Sequence, residues 1–388
     1  MMEVRRTKRL LVLGVALLLG GCSSDTAPAV VASVAVTPGT ATITGVGATT
    51  IAYSAVAKDA NNNTIAGVTF TWGSADPGVA TIPVQGGAAL TQGLGTTAIQ
   101  ATGGGVTGAG SLTVTAHYYV DANAGSNANA GTSEAPFRTI TKALEVAAAG
   151  NTIKVQPGRY GVGESFPLAG PTGVRLIGDE THKGGGTTPT SIIYGVGIPT
   201  FFFIPPPGAL IAGFTITDSS YVGLPVVYAI NGGVTFRNNR LVNSALPDIG
   251  LYLGTGLGVI PGSLNVISGN VIEGNTSGIR IDADRAKVEN NTITNNQIGI
   301  EYGDPGGDLG GGATGSAGGN ILSCNRLGDL SLTVAGLGTI AASNNQWDHV
   351  PLTTATSGGA SGGVDFYNTG GTATLTTTGA TVAPNNCP

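Results

Sequence analysis

The sequence predicts an all-β protein built in two parts, a small sandwich of strands followed by a longer array of stacked strand coils. Two observations carry this prediction. The 388 residues include 65 glycines and only 10% charged residues, and the abundance of Thr, Val, Ile, Asn and Gly is typical of short strands joined by tight turns. Beyond residue 200, an apolar-x-x-Asn-x-apolar frame recurs at spacings of 21 to 31 residues, as expected of stacked structural repeats.

The first residues have the pattern of a secretory signal. Four basic residues precede an apolar run at 10–19, and the run ends in Leu19-Gly20-Gly21-Cys22. A basic segment, a short apolar run and small residues before a cleavage site are typical of a signal peptide. The run is too short for a transmembrane helix, which needs about 20 apolar residues.

Leu19-Gly20-Gly21-Cys22 also resembles the bacterial lipobox, whose cysteine is lipidated and becomes the mature N-terminus. The resemblance implies that 1–21 is a lipoprotein signal peptide and 22–29 a tether, and two or more acyl chains hold a protein firmly on a membrane. An ordinary signal peptide with a chance cysteine is the alternative. Because Ser23 follows the cysteine, we expect a lipid-anchored envelope protein in the outer membrane of a Gram-negative bacterium.

Charge and cysteine content limit the partners further. The chain has 17 basic and 22 acidic residues, and four of the basic ones lie in the signal segment. The remainder is acidic and has no basic run, which argues against nucleic acid and other polyanions held by charge. Once Cys22 is assigned to the lipid, Cys324 and Cys387 remain, and they could pair outside the cytoplasm or stay as two thiols.

Residues 30–115 contain seven strand-like segments and one tryptophan, which predicts an immunoglobulin-like sandwich. Four motifs resemble the bacterial Ig-like group 2 domain: Val34-Ala35-Val36-Thr37-Pro38, Ala57-Lys58-Asp59-Ala60-Asn61, Phe70-Thr71-Trp72 and Gly78-Val79-Ala80-Thr81. The resemblance implies a spacer or adhesive module on a bacterial surface protein. We expect Asp59 and Asp76 to shape turns rather than to bind ligands.

One helix is predicted, over residues 140–149. Thr139 can cap its start, Gly150 can end it, and one face is apolar through Ile140, Ala143, Leu144 and Ala147. An amphipathic helix directly before a strand array is well placed to close the open end of a solenoid. It would cover the core and the strand edge of the first coil.

The recurring Asn frame predicts a structural ladder. Its clear copies are centred on Asn239, Asn270 and Asn291, weaker copies contain Asn320 and Asn345, and an earlier copy has Phe214 in the Asn place. The shortest spacing, 21 residues, is about the minimum for one coil of a parallel β-helix. Asn tolerates the left-handed region of a turn, and its amide can bond to the Asn one coil above.

Further motifs give a family resemblance. The helix-capped opening and the coils resemble the pectin-lyase-like right-handed parallel β-helix superfamily. Within it, the chain resembles the bacterial domain of unknown function 1565 through Tyr119-Val120-Asp121, Ala135-Pro136-Phe137, Gly163-Glu164-Ser165-Phe166-Pro167-Leu168 and Gly173-Val174-Arg175-Leu176-Ile177-Gly178. This resemblance implies a right-handed β-helix over 117–388 and leaves the activity open, because that family's activity is undefined.

Some proteins of this fold cleave polysaccharides, so we looked for acidic residues and bases that could share a sheet face. Acids and bases concentrate at Arg280, Asp282, Asp284, Arg285, Lys287, Glu301, Asp304 and Asp308. A shift of 21 residues aligns Gly278-Ile279-Arg280-Ile281 with Gly299-Ile300-Glu301-Tyr302, and Gly250-Leu251-Tyr252-Leu253 fits the same frame. If the Ile and Leu residues point inward, Tyr252, Arg280 and Glu301 form an outward column with neighbours about 4.8 Å apart.

Three interpretations of this column remain open. It could be a structural ion pair between Arg280 and Glu301 with Tyr252 stacked on Arg280. It could be a saccharide-binding strip with Asp282 and Asp284 at its edge, or a catalytic strip. The chain shows no recognisable lyase base and metal set, so we expect a non-catalytic surface protein that binds polysaccharide, with no cofactor or metal. A polysaccharide lyase or glycoside hydrolase is the alternative.

Other candidates are weaker in the sequence. Asp348 and His349 are adjacent but have no evident Ser or Cys nucleophile, so we predict a loop there. His117 and His182 are isolated, which does not suit a metal site. The apolar segment at 201–204, followed by three prolines, predicts an inward strand or, alternatively, an exposed patch that meets a partner.

Overall fold

The computed structural model describes residues 30–45, 50–185, 192–194, 205–217, 225–230, 232–242, 249–254, 263–282, 285–303, 307–332, 338–355, 363–369, 373–384 and 387. Over these residues the chain is mostly β, which confirms the predicted fold class at that level. The predicted signal peptide, Cys22, Asp284, Asp304 and the segment 201–204 lie outside the described residues. No helix in the described part of the chain is both long and apolar enough to cross a membrane.

The first part of the chain forms three small sheets around a core of its own. Its strands are Ser33–Thr37, Thr40–Thr44, Thr50–Ala52, Ser54–Lys58, Thr64–Ile65, Thr71–Ser74, Ala80–Thr81, Ala88–Thr91, Gly95–Gly103 and Val106–Thr115. The recorded pairings are antiparallel except that Thr40–Thr44 runs parallel to Val106–Thr115. Ile99 and Leu112 are fully buried in this core, whereas Trp72 packs at its margin and is only partly buried.

The two aspartates of this part lie in turns. The Asp59 carboxylate accepts hydrogen bonds from the backbone N–H groups of Asn61 and Asn63, at 2.9 and 2.8 Å. Asp76 accepts one from Gly78 N at 2.9 Å. Both carboxylates thus satisfy backbone donors of the turns that they begin, as Asp does in Asx-turns.

The second part forms three long sheets in which every recorded pairing is parallel. The first contains His117–Val120, Thr152–Val155, Arg175–Ile177, Leu210–Ala212, Thr235–Arg237, Asn265–Ser268, Ala286–Glu289 and Gly307–Asp308. The second contains Arg159–Tyr160, Ile192–Tyr194, Thr215–Thr217, Arg240–Val242, Val271–Glu273, Thr292–Thr294, Ile321–Ser323, Gln346–Trp347 and Thr381–Val382. The third contains Pro225–Ala229, Ile249–Leu253, Ser277–Ile281, Ile298–Tyr302, Gly328–Leu332, Val364–Asn368 and Thr354–Ala355, and Thr339–Ala341 pairs separately with Thr374–Thr376.

The chain visits the three sheets in turn. Asn265–Ser268, Val271–Glu273 and Ser277–Ile281 form one circuit, and each pairs with the corresponding strand of the next circuit. Ile267, Ile272 and Ile279 point inward and are fully buried, so one hydrophobic core runs through the stack. Long parallel sheets visited in this order are consistent with a β-helix.

A helix lies close to the predicted place, but it is shorter than predicted. It spans Ile140–Val146, with Thr139 as N-cap: the Thr139 hydroxyl accepts a hydrogen bond from Lys142 N at 3.1 Å. The chain leaves the helical conformation at Ala147, and the side chain of Asn151 accepts a hydrogen bond from Ala148 N at 2.8 Å. This local turn ends the helix before Gly150, which has a left-handed φ of 76°.

The predicted asparagines lie directly above one another at the corner between the first and second sheets. Asn239, Asn270, Asn291, Asn320 and Asn345 are at most 1% exposed. In each neighbouring pair, the backbone N–H and the side-chain Nδ2 of one Asn both donate to Oδ1 of the next, at 2.9–3.3 Å. At the top, Phe214 N donates to Asn239 Oδ1 at 3.0 Å.

The residue before each ladder Asn has the left-handed backbone conformation of this corner. The recurring Asn had been explained from the sequence by its own tolerance of that conformation, and this explanation was wrong. Gly213, Asn238, Gly269, Asn290, Gly319 and Asn344 have φ between 50° and 80°, whereas no ladder Asn has a positive φ. The ladder asparagines are therefore selected for hydrogen bonding inside the corner. The residue before each of them makes the turn.

A second Asn ladder, not identified in the sequence, follows the corner between the second and third sheets. Asn275 N donates to Asn296 Oδ1 at 3.1 Å, and Asn296 N donates to Asn325 Oδ1 at 3.0 Å. Each of the three lies five residues after a member of the first ladder. This constant spacing is the signal by which the second ladder could have been predicted from the same repeat. Next to this ladder, Cys324 and Cys387 are joined by a disulfide bond.

Candidate ligand-binding face

The third sheet carries an outward column of side chains in continuous register. Inward positions on its strands are apolar and buried, such as Leu251, Ile279 and Ile300, so the residue that follows each of them points outward. Strand pairing places the corresponding residues opposite one another in the order Tyr228, Tyr252, Arg280, Glu301, Ser331 and Tyr367, of which Ser331 is fully buried and the others are partly exposed. The structure thus brings together the three residues aligned from the sequence and extends their column at both ends.

Tyr252 has two neighbours that the sequence did not assign to it. Its ring stacks on Tyr228, with centroids 5.1 Å apart and planes inclined by 24°. Its hydroxyl donates to Asp282 Oδ2 at 2.9 Å. Burial and the adjacent Asp282 carboxylate raise the pKa of Tyr252 to about 12. The aromatic partner recorded among the described residues is therefore Tyr228, whereas the structural interpretation of the sequence had placed Tyr252 on Arg280.

Arg280 bridges two carboxylates. Its Nε lies 3.0 Å from Asp282 Oδ2, and its Nη1 lies 3.3 Å from Glu301 Oε1. Ser277 donates to the other Glu301 oxygen at 2.8 Å. Burial alone would lower the pKa of Arg280, but the two carboxylates raise it. The guanidinium therefore stays charged, and two negative charges surround one positive charge.

Two other charged residues of this stretch of sequence, Asp308 and Lys287, do not join the column. Asp308 lies on the first sheet, where it accepts hydrogen bonds from Gly310 N, Gly312 N and Thr314 N at 2.9–3.0 Å. Lys287, also on the first sheet, pairs with Glu289 at 3.0 Å. Their proximity in sequence arises because the chain turns the corner between the third and first sheets there. Within the described residues, the structure does not assemble the acid and base set of a lyase.

The second part of the chain matches a known protein family. A family model described as a protein of unknown function, DUF1565, matches residues 123–354. The chain belongs to the DUF1565 family. No curated protein matches it.

The DUF1565 protein has a second group of ionisable side chains, near the C-terminal end of the third sheet, that sequence reasoning missed. Asp365 is fully buried, and its Oδ2 accepts hydrogen bonds from Thr353 Oγ1 at 2.6 Å and Thr353 N at 2.7 Å. His349 Nδ1 lies 3.0 Å from the same oxygen. Asp348, predicted with His349 to form a plain loop, accepts from Cys324 N at 2.9 Å, and burial followed by the charge of Asp365 raises its pKa.

Asp329 is the least satisfied member of this group. Its Oδ1 accepts from Asn325 Nδ2 at 2.8 Å and so ends the second Asn ladder. Its Oδ2 is buried and has no hydrogen-bond partner among the described residues. Burial, together with the charges of Asp348 and Asp365, raises its pKa well above the ordinary value. When the strands of the third sheet are aligned, Asp329 and Asp365 occupy the position that Gly250, Gly278 and Gly299 occupy in the earlier coils. This change from glycine to aspartate is the signal by which the sequence could have identified the group.

These acids do not converge as metal ligands. In the described part of the chain, the one group of three or more potential ligand atoms that lie within 4.8 Å of one another consists of Cys324, Asp348 and Cys387. The two sulfur atoms are bonded to each other, which leaves a single carboxylate available there. The group near Asp329 is therefore better described as a buried polar network than as a preformed metal site.

Proposed function

We propose that this DUF1565 protein is a non-catalytic, lipid-anchored protein of the cell envelope, in which an Ig-like spacer presents a right-handed parallel β-helix that binds an extended polysaccharide. The observation that carries this proposal is the column on the third sheet. Its side chains repeat at the strand spacing of about 4.8 Å, and a flat, elongated face suits a polymer. The stacked rings of Tyr228 and Tyr252 lie beside carboxylates and a guanidinium that can bond to hydroxyl groups.

The handedness and the closing helix are part of the proposal. Crossovers between parallel strands of one sheet are right-handed in nearly all proteins, which supports a right-handed β-helix. The helix Ile140–Val146 buries Ile140, Ala143 and Leu144, and the Tyr118 hydroxyl on the first strand of the stack donates to Val146 O at 3.3 Å. This position supports a helix that covers the first coil.

Glu164 further supports a fixed position for the helix. Its carboxylate accepts hydrogen bonds from Ile140 N at 2.8 Å and Thr141 N at 2.7 Å, the first two backbone donors of the helix. These N–H groups have no partner within a helix, and a carboxylate at a helix N-terminus is electrostatically favourable. Glu164 belongs to one of the motifs that resemble the family, so this motif has a structural role at the start of the helix.

The geometry of the column favours binding over catalysis. The charged groups of Arg280, Asp282 and Glu301 bond to one another, so none of them is held ready as a base or nucleophile. A glycoside hydrolase or polysaccharide lyase is the alternative. Asp329 and Asp365 do not favour it, because they are 1% and 0% exposed and a catalytic acid must reach its substrate.

A polysaccharide array tests the proposal, read both for bound protein and for released reducing or unsaturated ends. We expect binding without release, and we expect Tyr252→Ala to weaken binding about 10-fold or more, equivalent to ~1.4 kcal/mol. Tyr119→Ala is the matched control, because Tyr119 also points outward from a strand but lies on the first sheet. Released ends would favour the enzyme, and a ligand whose affinity ignores both Tyr252→Ala and Arg280→Ala would exclude this face.

A further inference from the structure

The charges of the third sheet indicate which polysaccharides it accepts. Arg280 is the one Lys or Arg in the described strands of this sheet, whereas two partly exposed carboxylates adjoin it: Glu301 lies on the next strand and Asp282 directly follows the strand of Arg280. We propose that this face selects neutral glycans and rejects those that carry carboxylate or sulfate groups. This inference rests on the proposed function.

The single cation is not available to an acidic sugar. Arg280 already donates hydrogen bonds from Nε to Asp282 and from Nη1 to Glu301, and its side chain is 35% exposed. A ligand carboxylate would have to replace these partners in order to form the paired hydrogen bonds that arginine usually offers to such groups. It would also leave Asp282 and Glu301 without their counter-charge.

The carboxylates repel an anion but can still accept hydrogen bonds. Asp282 and Glu301 together carry two negative charges against one on Arg280, and their side chains are 21% and 14% exposed. Each ionised carboxylate has about four acceptor positions. Asp282 receives Tyr252 and Arg280, and Glu301 receives Arg280 and Ser277. Acceptor positions therefore remain for the hydroxyl groups of a neutral sugar, which are good donors.

Two features of this face add to the discrimination. The column lies in a partly buried, low-dielectric surface, where charges interact more strongly than in bulk water. Farther along the sheet, Asp365 adds a buried carboxylate whose recorded ionic partner is His349. A polymer with a negative charge on each sugar would meet this field along its length, whereas a neutral polymer would meet only acceptors and aromatic rings.

The test compares a soluble neutral β-glucan with polygalacturonate by calorimetry on the full chain, at low and at raised salt. We expect the β-glucan to bind at least 10-fold more tightly at low salt, and we expect salt to narrow this ratio because it screens exposed charges. Glu301→Gln should narrow the ratio several-fold while keeping the hydrogen-bond shape of the side chain. Glu145→Gln, on the helix and 59% exposed, removes the same charge elsewhere and should leave the ratio unchanged.

The outcomes separate this inference from the proposal beneath it. Polygalacturonate binding as tightly as the β-glucan, or more tightly, overturns the charge selection while the binding face stands. Discrimination that Glu301→Gln and salt leave unchanged also overturns it, because another surface must then be responsible. Failure of both polymers, and of every glycan on the array, overturns the proposed function and this inference together.

Discussion

Single residues show where the buried polar groups of this protein are balanced and where they are not. Asp308 and Asp329 are both nearly inaccessible, but their surroundings differ. Asp308 accepts hydrogen bonds from the Thr314 hydroxyl and from several backbone N–H groups, which together outweigh its burial and lower its pKa. Asp329 has one side-chain donor and two neighbouring carboxylates, so burial raises its pKa. The same residue type therefore stabilises the fold at one position and opposes it at the other.

We expect Asp329→Asn to stabilise the protein at neutral pH by on the order of 1–3 kcal/mol, because it replaces a buried acid whose ionised form has too few donors. A carboxyl whose pKa is raised on folding binds its proton more tightly in the folded state. Stability is then fully present below the unfolded pKa of about 4 and is lost as pH rises toward the folded pKa. The gain from the substitution should therefore disappear near pH 3, as measured by thermal unfolding across pH.

Asp308→Asn is the control, and it should change the free energy of unfolding in the opposite direction. The pKa of Asp308 is lowered on folding, so its contribution is present above the unfolded pKa and is lost as pH falls. The amide would also turn donors toward the backbone N–H groups of the turn. This variant should be less stable at neutral pH, and a stabilising effect would contradict the account of both residues.

The disulfide between Cys324 and Cys387 closes a separation of 63 residues. On the loop-entropy model, a bond over such a loop stabilises a protein by on the order of 4 kcal/mol. We expect Cys387→Ser to lower the free energy of unfolding by a comparable amount, with unfolding beginning in the last coils. Peptide mapping under non-reducing conditions should find the linked pair, and two alkylatable thiols in freshly isolated protein would contradict the prediction.

Elements were more predictable from the sequence than the contacts between them. The Asn frame and the 21-residue shift depend only on spacing along one chain, so the coils and the register of Tyr252, Arg280 and Glu301 could be aligned before the structure was known. The partner of Tyr252 could not, because Tyr228 follows no Asn frame and its coil is one of the irregular ones. The early end of the helix also escaped prediction, since it depends on the Asn151 side chain.

Glycine and asparagine alternate at the left-handed position of the corner between the first and second sheets. The order from coil to coil is Gly213, Asn238, Gly269, Asn290, Gly319, Asn344 and Gly379. A Cβ atom built on Gly269 would collide with Asn238 Oδ1, and one on Gly319 would collide with Asn290 Oδ1. The Asn side chain thus occupies the space that the next coil must leave empty.

This alternation predicts coupling between neighbouring coils. Gly319→Ala should destabilise the protein by about 1–3 kcal/mol, through a left-handed alanine and a collision with Asn290. With Asn290→Gly in the same chain, the collision is removed and only the backbone strain remains, so the double variant should lose less than the sum of the two single losses. Chemical denaturation of all four proteins completes the cycle, and simple additivity would contradict the steric account. Gly315→Ala is the control, because its φ is also left-handed but its Cβ would meet nothing within 4 Å.

The whole molecule combines two separate hydrophobic cores, one within residues 34–114 and one within residues 118–366. Two cores in one chain suit a spacer followed by a long recognition surface. In the proposed function, the first part would act as the spacer between the N-terminus and the binding face of the second part. The proposed location in the cell envelope depends on the predicted lipid at Cys22.

We expect Cys22→Ala to release the protein from the membrane fraction, because an uncleaved or unlipidated N-terminus lacks the acyl chains that give stable anchoring. Fractionation of cells that express each form, with Cys387→Ser as a cysteine control, measures this. The control should remain with membranes even if it is less stable. Wild-type partitioning of Cys22→Ala would show that the anchor lies elsewhere.

The alternation of glycine and asparagine also limits how this array can change its length. Removal of a coil whose turn residue is glycine would place asparagine directly above asparagine, in the space where their side chains collide. Removal of a coil whose turn residue is asparagine would leave two glycines in succession, and the space beside the second would lose the Asn side chain that occupies it. Loss or gain of two coils together restores the original order. Insertion or deletion of two coils together should therefore be tolerated better than insertion or deletion of a single coil.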